Sequence, residues 1–123
     1  RRVLFRSGPY VQYTNARAKS ILRKANTAVS VDELNLDDTA TWDIITTLNQ
    51  FPTIVQRAWQ QREASIIAKY ALSLSRAFNK YYANSKILLP DDQLNARLAL
   101  VKAVTIILSE SLRLLGVKAP EEM

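Results

Sequence analysis

Two phenols and a guanidinium near the start of the chain are the side chains best suited to recognition chemistry. Tyr10, Tyr13 and Arg17 are spaced at i, i+3 and i+7, so a helix would bring them to one face. Aromatic rings can stack on unpaired bases, and a guanidinium can contact phosphate. The same face can also pack against a neighbouring helix, which from these residues alone is the simpler interpretation.

The side chains that catalysis uses most often are absent. The chain contains no cysteine and no histidine, which excludes thiolate and imidazole chemistry. No glycine-rich phosphate loop, zinc-protease helix motif or nucleophile elbow occurs. The acidic pairs Asp37-Asp38 and Asp91-Asp92 stand at predicted helix starts, where they would cap helices rather than face each other across a site. We therefore predict no catalytic and no metal-binding residue.

The charge of the chain is dominated by its first residues. The formal net charge is +6, from 17 basic and 11 acidic residues. Residues 1–7 (RRVLFRS) fit nothing that follows, and they match the in-frame translation of a common sequencing adapter. We interpret them as a sequencing artefact, with a natural basic arm as the alternative. Without their three arginines, 14 basic residues remain against 11 acidic ones, and a net charge of +3 is weak evidence for an anionic partner.

Apolar residues recur at helical spacing along the rest of the chain. Pro9 suits a first helical turn, Pro52 interrupts the pattern, and Gly116 suits a left-handed C-cap. The predicted helices cover about residues 9–25, 40–49, 54–59, 66–81 and 91–115, with an acidic connecting loop over residues 26–39. The sequence therefore predicts an all-α bundle of four to five helices, with one domain over residues 8–123.

Large aromatic residues on the predicted helices indicate a core. Trp42, Trp59, Phe78 and Tyr81 lie on apolar stripes, and we expect all four to be buried. On the second helix, Ile45 is expected to accompany Trp42 toward the core.

Composition alone also fits a different class of protein. A helical scaffold or protein–protein interaction module would carry similar lysines and arginines on its solvated surface. No segment approaches the roughly 18 apolar residues of a membrane span, and no signal peptide is evident. An amphipathic helix on a membrane surface is weakly supported, because no helix separates a large basic face from a bulky apolar one.

Longer motifs in the chain resemble a known family. Residues 8–17 (GPYVQYTNAR), continued by residues 18–24 (AKSILRK), closely resemble the segment that opens the C-terminal domain of arginyl-tRNA synthetases. Residues 114–123 (LLGVKAPEEM) resemble that family's C-terminus, including its terminal methionine. Residues 78–82 (FNKYY) and 97–101 (RLALV) resemble family blocks at about the right spacing. The resemblance covers residues 8–123, and its wording is most similar to enzymes of lactic-acid bacteria.

This resemblance implies an all-α anticodon-binding domain of the DALR type, whose partner is the anticodon stem-loop of tRNA(Arg). Tyr10 and Tyr13 would stack on or shape the anticodon bases, Arg17 would contact phosphate or a base edge, and Met123 would supply an apolar surface. Further phosphate contacts are expected from three basic residues of the first helix, namely Lys19, Arg23 and Lys24. Many family members have histidine where this chain has Asn15, so no role is assigned to Asn15.

The resemblance also implies a larger parent protein. The parent would be a cytoplasmic class I ligase that joins arginine to tRNA using ATP, and its catalytic domain would be a partner within the same polypeptide. We expect no cofactor in residues 8–123, because ATP, magnesium and arginine would bind the catalytic domain. Family members carry an acidic, glycine-containing segment before the position of Gly8, where this chain has residues 1–7.

One structural observation separates the two interpretations of the first helix. If Tyr10, Tyr13 and Arg17 are exposed together, they are available to bind RNA. If they are buried among Ile21, Trp42 and Leu112, the binding interpretation loses its physical support.

Overall fold

The described part of the chain folds into five α-helices. The computed structural model describes residues 2–25 and 38–123, with residues 2–7 described by their backbone alone. The helices in these ranges are α1 (Arg2–Ala25), α2 (Thr39–Asn49), α3 (Phe51–Gln61), α4 (Ser65–Asn84) and α5 (Leu94–Leu114). The predicted all-α bundle of four to five helices is confirmed.

The core forms where α1, α4 and α5 pack together, and α2 and α3 cover α4. Each of the three central helices carries apolar residues at spacings of three and four, which places them on one face. Burial of this face away from water is the main stabilising contribution to such a bundle. The fully or almost fully buried side chains include Val11, Ala18, Ile21, Leu74, Phe78, Tyr81, Leu98, Val101, Val104, Leu108 and Leu112.

Helix boundaries follow local signals in the sequence. The Asp38 carboxylate accepts a hydrogen bond from the Thr41 N–H at 2.7 Å, so it caps α2 as predicted. Pro52 lies in the first turn of α3, where its missing N–H removes no intrahelical bond. Asp38 thus marks the start of α2, and Pro52 marks the start of α3.

The C-terminal end of α5 is closed by the predicted glycine cap. Gly116 has a φ of 73°, a backbone conformation that side chains with a Cβ rarely adopt. The Val117 N–H then reaches back to the Leu112 carbonyl at 2.9 Å. This reversal directs residues 117–123 back toward α1.

Two predicted helix starts are wrong. α1 begins at Arg2, and Pro9 lies inside it. A proline removes its own intrahelical N–H bond, but the residues before it can still be helical. α5 begins at Leu94 and not near Asp91. The Asp91 carboxylate is instead bound by the Arg97 guanidinium at 2.7 Å, which lowers the pKa of Asp91.

The two tryptophans are not core residues, contrary to prediction. Trp42 is 53% exposed and Trp59 is 81% exposed, whereas Phe78 and Tyr81 are buried as expected. In α3 the buried positions are Ile54 and Ala58, four residues apart, and Trp59 lies about 100° around the helix from Ala58. In α2 the buried apolar residue is Ile44, whereas its neighbour Ile45 is half-buried.

Most of the predicted acidic loop lies outside the described residues, since the structure describes only residues 38 and 39 of it. Of the acidic pair Asp37-Asp38, the structure describes Asp38, which caps α2. No helix within the described ranges is both long enough and apolar enough to cross a bilayer.

Candidate nucleic-acid interface

An open groove of about 600 Å³ lies between α1, the second half of α4 and the last residues of the chain. It is lined by side chains from all three segments: Tyr10, Tyr13, Thr14, Ala16, Arg17, Ser20, Arg23, Asn79, Glu121, Glu122 and Met123. Five of the seven predicted contact residues therefore line one groove, and Lys19 and Lys24 do not.

The two tyrosines of α1 and Arg17 are exposed together. Tyr10 is 39% exposed, Tyr13 is 61% exposed, and Arg17 is also an exposed residue. α1 buries a separate stripe that includes Val11 and Ala18, which leaves the Tyr–Tyr–Arg face at the surface. Burial of this face in the core is thus excluded.

Asn79 of α4 organises one wall of the groove. Its side-chain amide donates hydrogen bonds to the Tyr10 hydroxyl and to Thr14 Oγ1, both at 2.9 Å. Its carbonyl oxygen accepts a hydrogen bond from Arg17 Nη1 at 2.8 Å. Asn79 therefore fixes the Tyr10 hydroxyl and the Arg17 guanidinium relative to each other.

Arg17 is held by neutral groups. Its guanidinium carbon lies 4.5 Å from the centroid of the Tyr82 ring, a cation–π contact that complements the bond to Asn79. Arg17 makes no ion pair with any residue that the structure describes. Its positive charge is therefore fixed in position without being neutralised, and it remains available to an anion.

Tyr13 differs from Tyr10 in having no described partner. Within residues 8–25 and 38–123, no hydrogen bond or ring contact involves its side chain. Its ring is the most exposed aromatic surface of the groove. A flat, unpaired ring of this kind is what a stacking base requires.

The C-terminal segment is attached along α1. Gln12 Nε2 donates a hydrogen bond to the Lys118 carbonyl at 3.0 Å, and Lys19 Nζ donates one to the Ala119 carbonyl at 3.2 Å. Further along α1, Arg23 Nη1 donates to the Glu121 carbonyl at 3.2 Å. These contacts bring the exposed side chain of Met123 to the groove, beside Tyr10 and Tyr13 as lining residues.

Lys19 and Arg23 form ion pairs inside the molecule. Lys19 Nζ lies 3.3 Å from Glu121 Oε1, and Arg23 Nη1 lies 3.1 Å from Glu121 Oε2. Arg23 also approaches Glu122 at 3.9 Å. The sequence pattern predicted these two cations as phosphate contacts and gave no sign of their acidic partners.

Lys24 lies on a different surface. It lines a separate recess of about 520 Å³ together with Tyr82, Lys86 and Leu88. It makes no ion pair with the residues that the structure describes. Tyr82 connects the two surfaces, since its ring also contacts Arg17.

Asn15 is a buried structural residue. Its side chain is fully buried, and its amide nitrogen donates a hydrogen bond to Ser109 Oγ of α5 at 3.1 Å. Its Oδ1 has no hydrogen-bond partner among the residues that the structure describes. Asn15 therefore links α1 to α5 and does not face the groove.

Sequence analysis did not select Asn79 and Tyr82 as site residues. Both belong to residues 78–82, which contributed only to the family resemblance. Phe78 and Tyr81 of this block are buried, and Asn79 and Tyr82 are their sequence neighbours on the side toward α1. The helical spacing of the buried pair is the one signal that could have placed the other two at the edge of the core.

Known proteins with similar sequences and structures are tRNA ligases. Over 117 residues the chain is 99% identical to arginine–tRNA ligase of Leuconostoc citreum and 80% identical to that of Leuconostoc mesenteroides. Each alignment covers 95% of this chain and 21% of the relative. The structure of Thermus thermophilus arginyl-tRNA synthetase superposes with a TM-score of 0.85 at 35% identity, covering 94% of this chain and 21% of the other.

The similarity thus covers nearly all of this chain, while the chain spans about a fifth of the length of the curated relatives it matches. Both Leuconostoc relatives agree with the predicted resemblance to enzymes of lactic-acid bacteria. The family model described as the DALR anticodon binding domain matches residues 11–123. That match includes the groove-lining residues Tyr13, Arg17 and Met123, and the chain belongs to the family of DALR anticodon-binding domains.

Proposed function

We propose that this domain binds the anticodon stem-loop of tRNA(Arg) at the groove between α1, α4 and the C-terminal segment. One observation carries the proposal. In a member of an anticodon-binding family, the exposed Tyr13 ring shares a groove with the charged Arg17 and the apolar Met123. Sequence-specific RNA recognition commonly uses such rings to stack unpaired loop bases.

The groove residues have different roles in this proposal. Tyr13 supplies a stacking surface, and Tyr10, which Asn79 holds, shapes the adjacent wall. Arg17 binds a phosphate or a base edge with the guanidinium nitrogens that Asn79 leaves free. Met123 contributes an apolar surface. The tyrosines therefore contact the bases. Arg17 sets the register of the loop if it binds a phosphate and adds to base selection if it binds a base edge.

Three further basic residues of α1 are proposed phosphate contacts in addition to Arg17. Lys24 has no described acidic partner and is the strongest candidate for a phosphate contact outside the groove. Arg23, which lines the groove, and Lys19 one turn before it are also assigned phosphate contacts, although their pairing with Glu121 reduces the positive charge that they present. We therefore expect few net phosphate contacts.

The proposed parent protein is an arginine–tRNA ligase, by analogy with relatives of which this chain spans 21%. It would join arginine to tRNA using ATP and magnesium bound elsewhere in the polypeptide. The catalytic domain would be the intramolecular partner of this domain, and the enzyme would act in the cytoplasm. Residues 8–123 would supply tRNA recognition and no catalytic group.

The electrostatic component of binding should be weak and dependent on salt. A net charge of +3, once residues 1–7 are set aside, allows only a small number of phosphate contacts. Each such contact releases counterions, so the affinity falls as the salt concentration rises.

The test compares two transcripts that differ only in the anticodon. The 123-residue chain is titrated with tRNA(Arg) and with the same tRNA carrying an anticodon for another amino acid, at two salt concentrations. We expect tighter binding of the arginine anticodon and weaker binding of both transcripts at high salt. Equal affinity for the two transcripts, or tight binding that salt does not change, would contradict the proposal and favour a helical scaffold.

A further inference from the structure

The C-terminal segment is anchored to α1 by a series of contacts that approach the groove. Val117 and Ala119 are half-buried and pack against the core. The carbonyls of residues 118 and 119 accept hydrogen bonds from α1 side chains. The side chains of residues 121–123 are exposed, so burial does not hold this part of the segment. Contacts between Glu121 and α1 attach it instead.

Glu121 connects the segment to two cations at once. Lys19 and Arg23 are four residues apart on α1, so their side chains lie on the same face one turn apart. The two oxygens of the Glu121 carboxylate divide between them, with Oε1 at 3.3 Å from Lys19 Nζ and Oε2 at 3.1 Å from Arg23 Nη1. The Glu121 main-chain carbonyl also accepts a hydrogen bond from Arg23.

The bonds to Glu121 stabilise the position of the C-terminal segment together. A single exposed ion pair contributes little, because solvent screens it and two flexible side chains must be ordered. Here one carboxylate bridges two cations, Lys19 is mostly covered from solvent, and a main-chain bond supports the same residue. Beyond Glu121, the polar contact that the structure gives to the last two residues is the 3.9 Å approach of Glu122 to Arg23.

We propose that Glu121 is a positioning residue, which holds Met123 at the groove through Lys19 and Arg23. The inference rests on the proposed function for its consequence in RNA binding. A segment that is ordered before the RNA arrives avoids the entropic cost of ordering it on binding. Glu121, an acidic residue of the groove lining, therefore increases the affinity for a polyanion, although its charge alone would reduce that affinity.

Glu121→Gln separates positioning from charge. The substitution keeps the shape of the side chain but removes the negative charge, and it raises the net charge of the domain by one. Glu63→Gln raises the net charge by the same amount at an exposed position outside the groove lining. Counterion release predicts that both variants bind tRNA slightly more tightly. Positioning predicts that Glu121→Gln alone binds about fivefold more weakly.

Met123 provides a direct measurement of the segment that does not involve RNA. It is the single methionine of the chain, so its ¹³C-labelled ε-methyl group gives one NMR signal when an N-terminal tag is removed after expression. We expect the methyl order parameter to fall in Glu121→Gln and to stay unchanged in Glu63→Gln. An unchanged order parameter in Glu121→Gln would overturn the proposal.

Binding of tRNA(Arg) then tests whether this order matters for recognition. If Glu121 acts through Met123, Glu121→Gln should cause almost no further loss of affinity in a Met123→Ala background. A full additional loss there, or affinity in Glu121→Gln equal to that of Glu63→Gln, would overturn the positioning role. If the unsubstituted chain does not bind tRNA(Arg), the proposed function fails, and so does the consequence of Glu121 for RNA binding. The NMR result still decides whether Glu121 holds the segment.

Discussion

Four of the five tyrosines in the chain form two pairs in opposite surroundings. Tyr70 and Tyr81 of α4 are 4% and 1% exposed, whereas Tyr10 and Tyr13 of α1 lie at the surface of the groove. All four stand at helical spacing among apolar residues, and residue type does not distinguish them. What differs is the number of contacts that the folded chain already provides to each ring.

The contacts of the buried pair are completed inside the folded domain. The Tyr70 hydroxyl donates a hydrogen bond to the Thr47 carbonyl at 2.7 Å, and its ring centroid lies 5.7 Å from that of Phe51. Tyr81 packs edge-on against Phe78 with ring centroids 6.4 Å apart. Burial raises the pKa of both tyrosines to about 12, because the phenolate would lose its hydration. These side chains stabilise the fold.

The rings of Tyr10 and Tyr13 are partly exposed to solvent. The Tyr10 hydroxyl is fixed by Asn79, but its ring borders an open groove. Tyr13 makes no hydrogen bond or ring contact with the described residues. A ring that contributes little to packing yet stands in a fixed place on a helix is suited to binding an external partner. The buried pair therefore stabilises the fold, and the exposed pair is the one that we propose binds RNA.

The largest expected effect is the loss of stability on truncating the buried pair. Tyr81→Ala removes a fully buried ring between α4 and its neighbours, which should lower the free energy of unfolding by about 3–5 kcal/mol. Chemical denaturation followed by circular dichroism measures this change. Trp59→Ala is the matched control, since this aromatic residue is 81% exposed and should change stability by less than about 0.5 kcal/mol. Similar losses in the two variants would break the distinction between buried and exposed rings.

A smaller effect should appear at alkaline pH. The pKa of Tyr70 and Tyr81 is about 12 in the folded state, above the ordinary value of about 10 in the unfolded chain. Their contribution to stability is therefore complete below pH 10 and is lost as the pH rises toward 12, by roughly 3 kcal/mol in total at pH 11.

Tyr70→Phe checks this assignment. Denaturation midpoints at pH 8 and pH 11 should differ less in Tyr70→Phe than in the unsubstituted chain, because one of the two titrating phenols is gone. At pH 8 the variant should be slightly less stable, since the hydrogen bond to the Thr47 carbonyl is lost. An equal alkaline loss in both proteins would show that Tyr70 ionises normally in the folded state.

Local patterns in the sequence predicted most of the fold. Apolar spacing located α4 and most of α5, and Pro52 and Gly116 marked real helix ends because proline and glycine act on the backbone of their own turn. Trp42 and Trp59 were assigned wrongly because hydrophobicity does not say which of two adjacent stripes faces the core. Here the smaller Ile44, Ile54 and Ala58 occupy the buried positions.

The composition of the groove could be predicted only in part. Tyr10, Tyr13 and Arg17 share one helix, so their common face follows from spacing alone. The partners of Lys19 and Arg23 are about 100 residues away along the chain, and no local pattern indicates that Glu121 meets them. Asn79 is similarly remote from Arg17, from which it is separated by 62 positions. Such contacts depend on how the helices pack against one another, and the spacing of residues within one helix carries no information about that packing.

The central claim is that the exposed tyrosine face recognises the anticodon, and Tyr13→Ala tests it most directly. Binding of tRNA(Arg) and of its anticodon-swapped counterpart is measured for Tyr13→Ala and for Lys24→Ala, with the melting temperature recorded for each protein. Loss of a stacking surface should cost roughly 1–3 kcal/mol for the arginine anticodon and little for the swapped one, at an almost unchanged melting temperature. Lys24→Ala should weaken both transcripts about equally, because a phosphate contact carries no sequence information. A Tyr13→Ala protein that melts many degrees lower but still discriminates between the two anticodons would contradict the account.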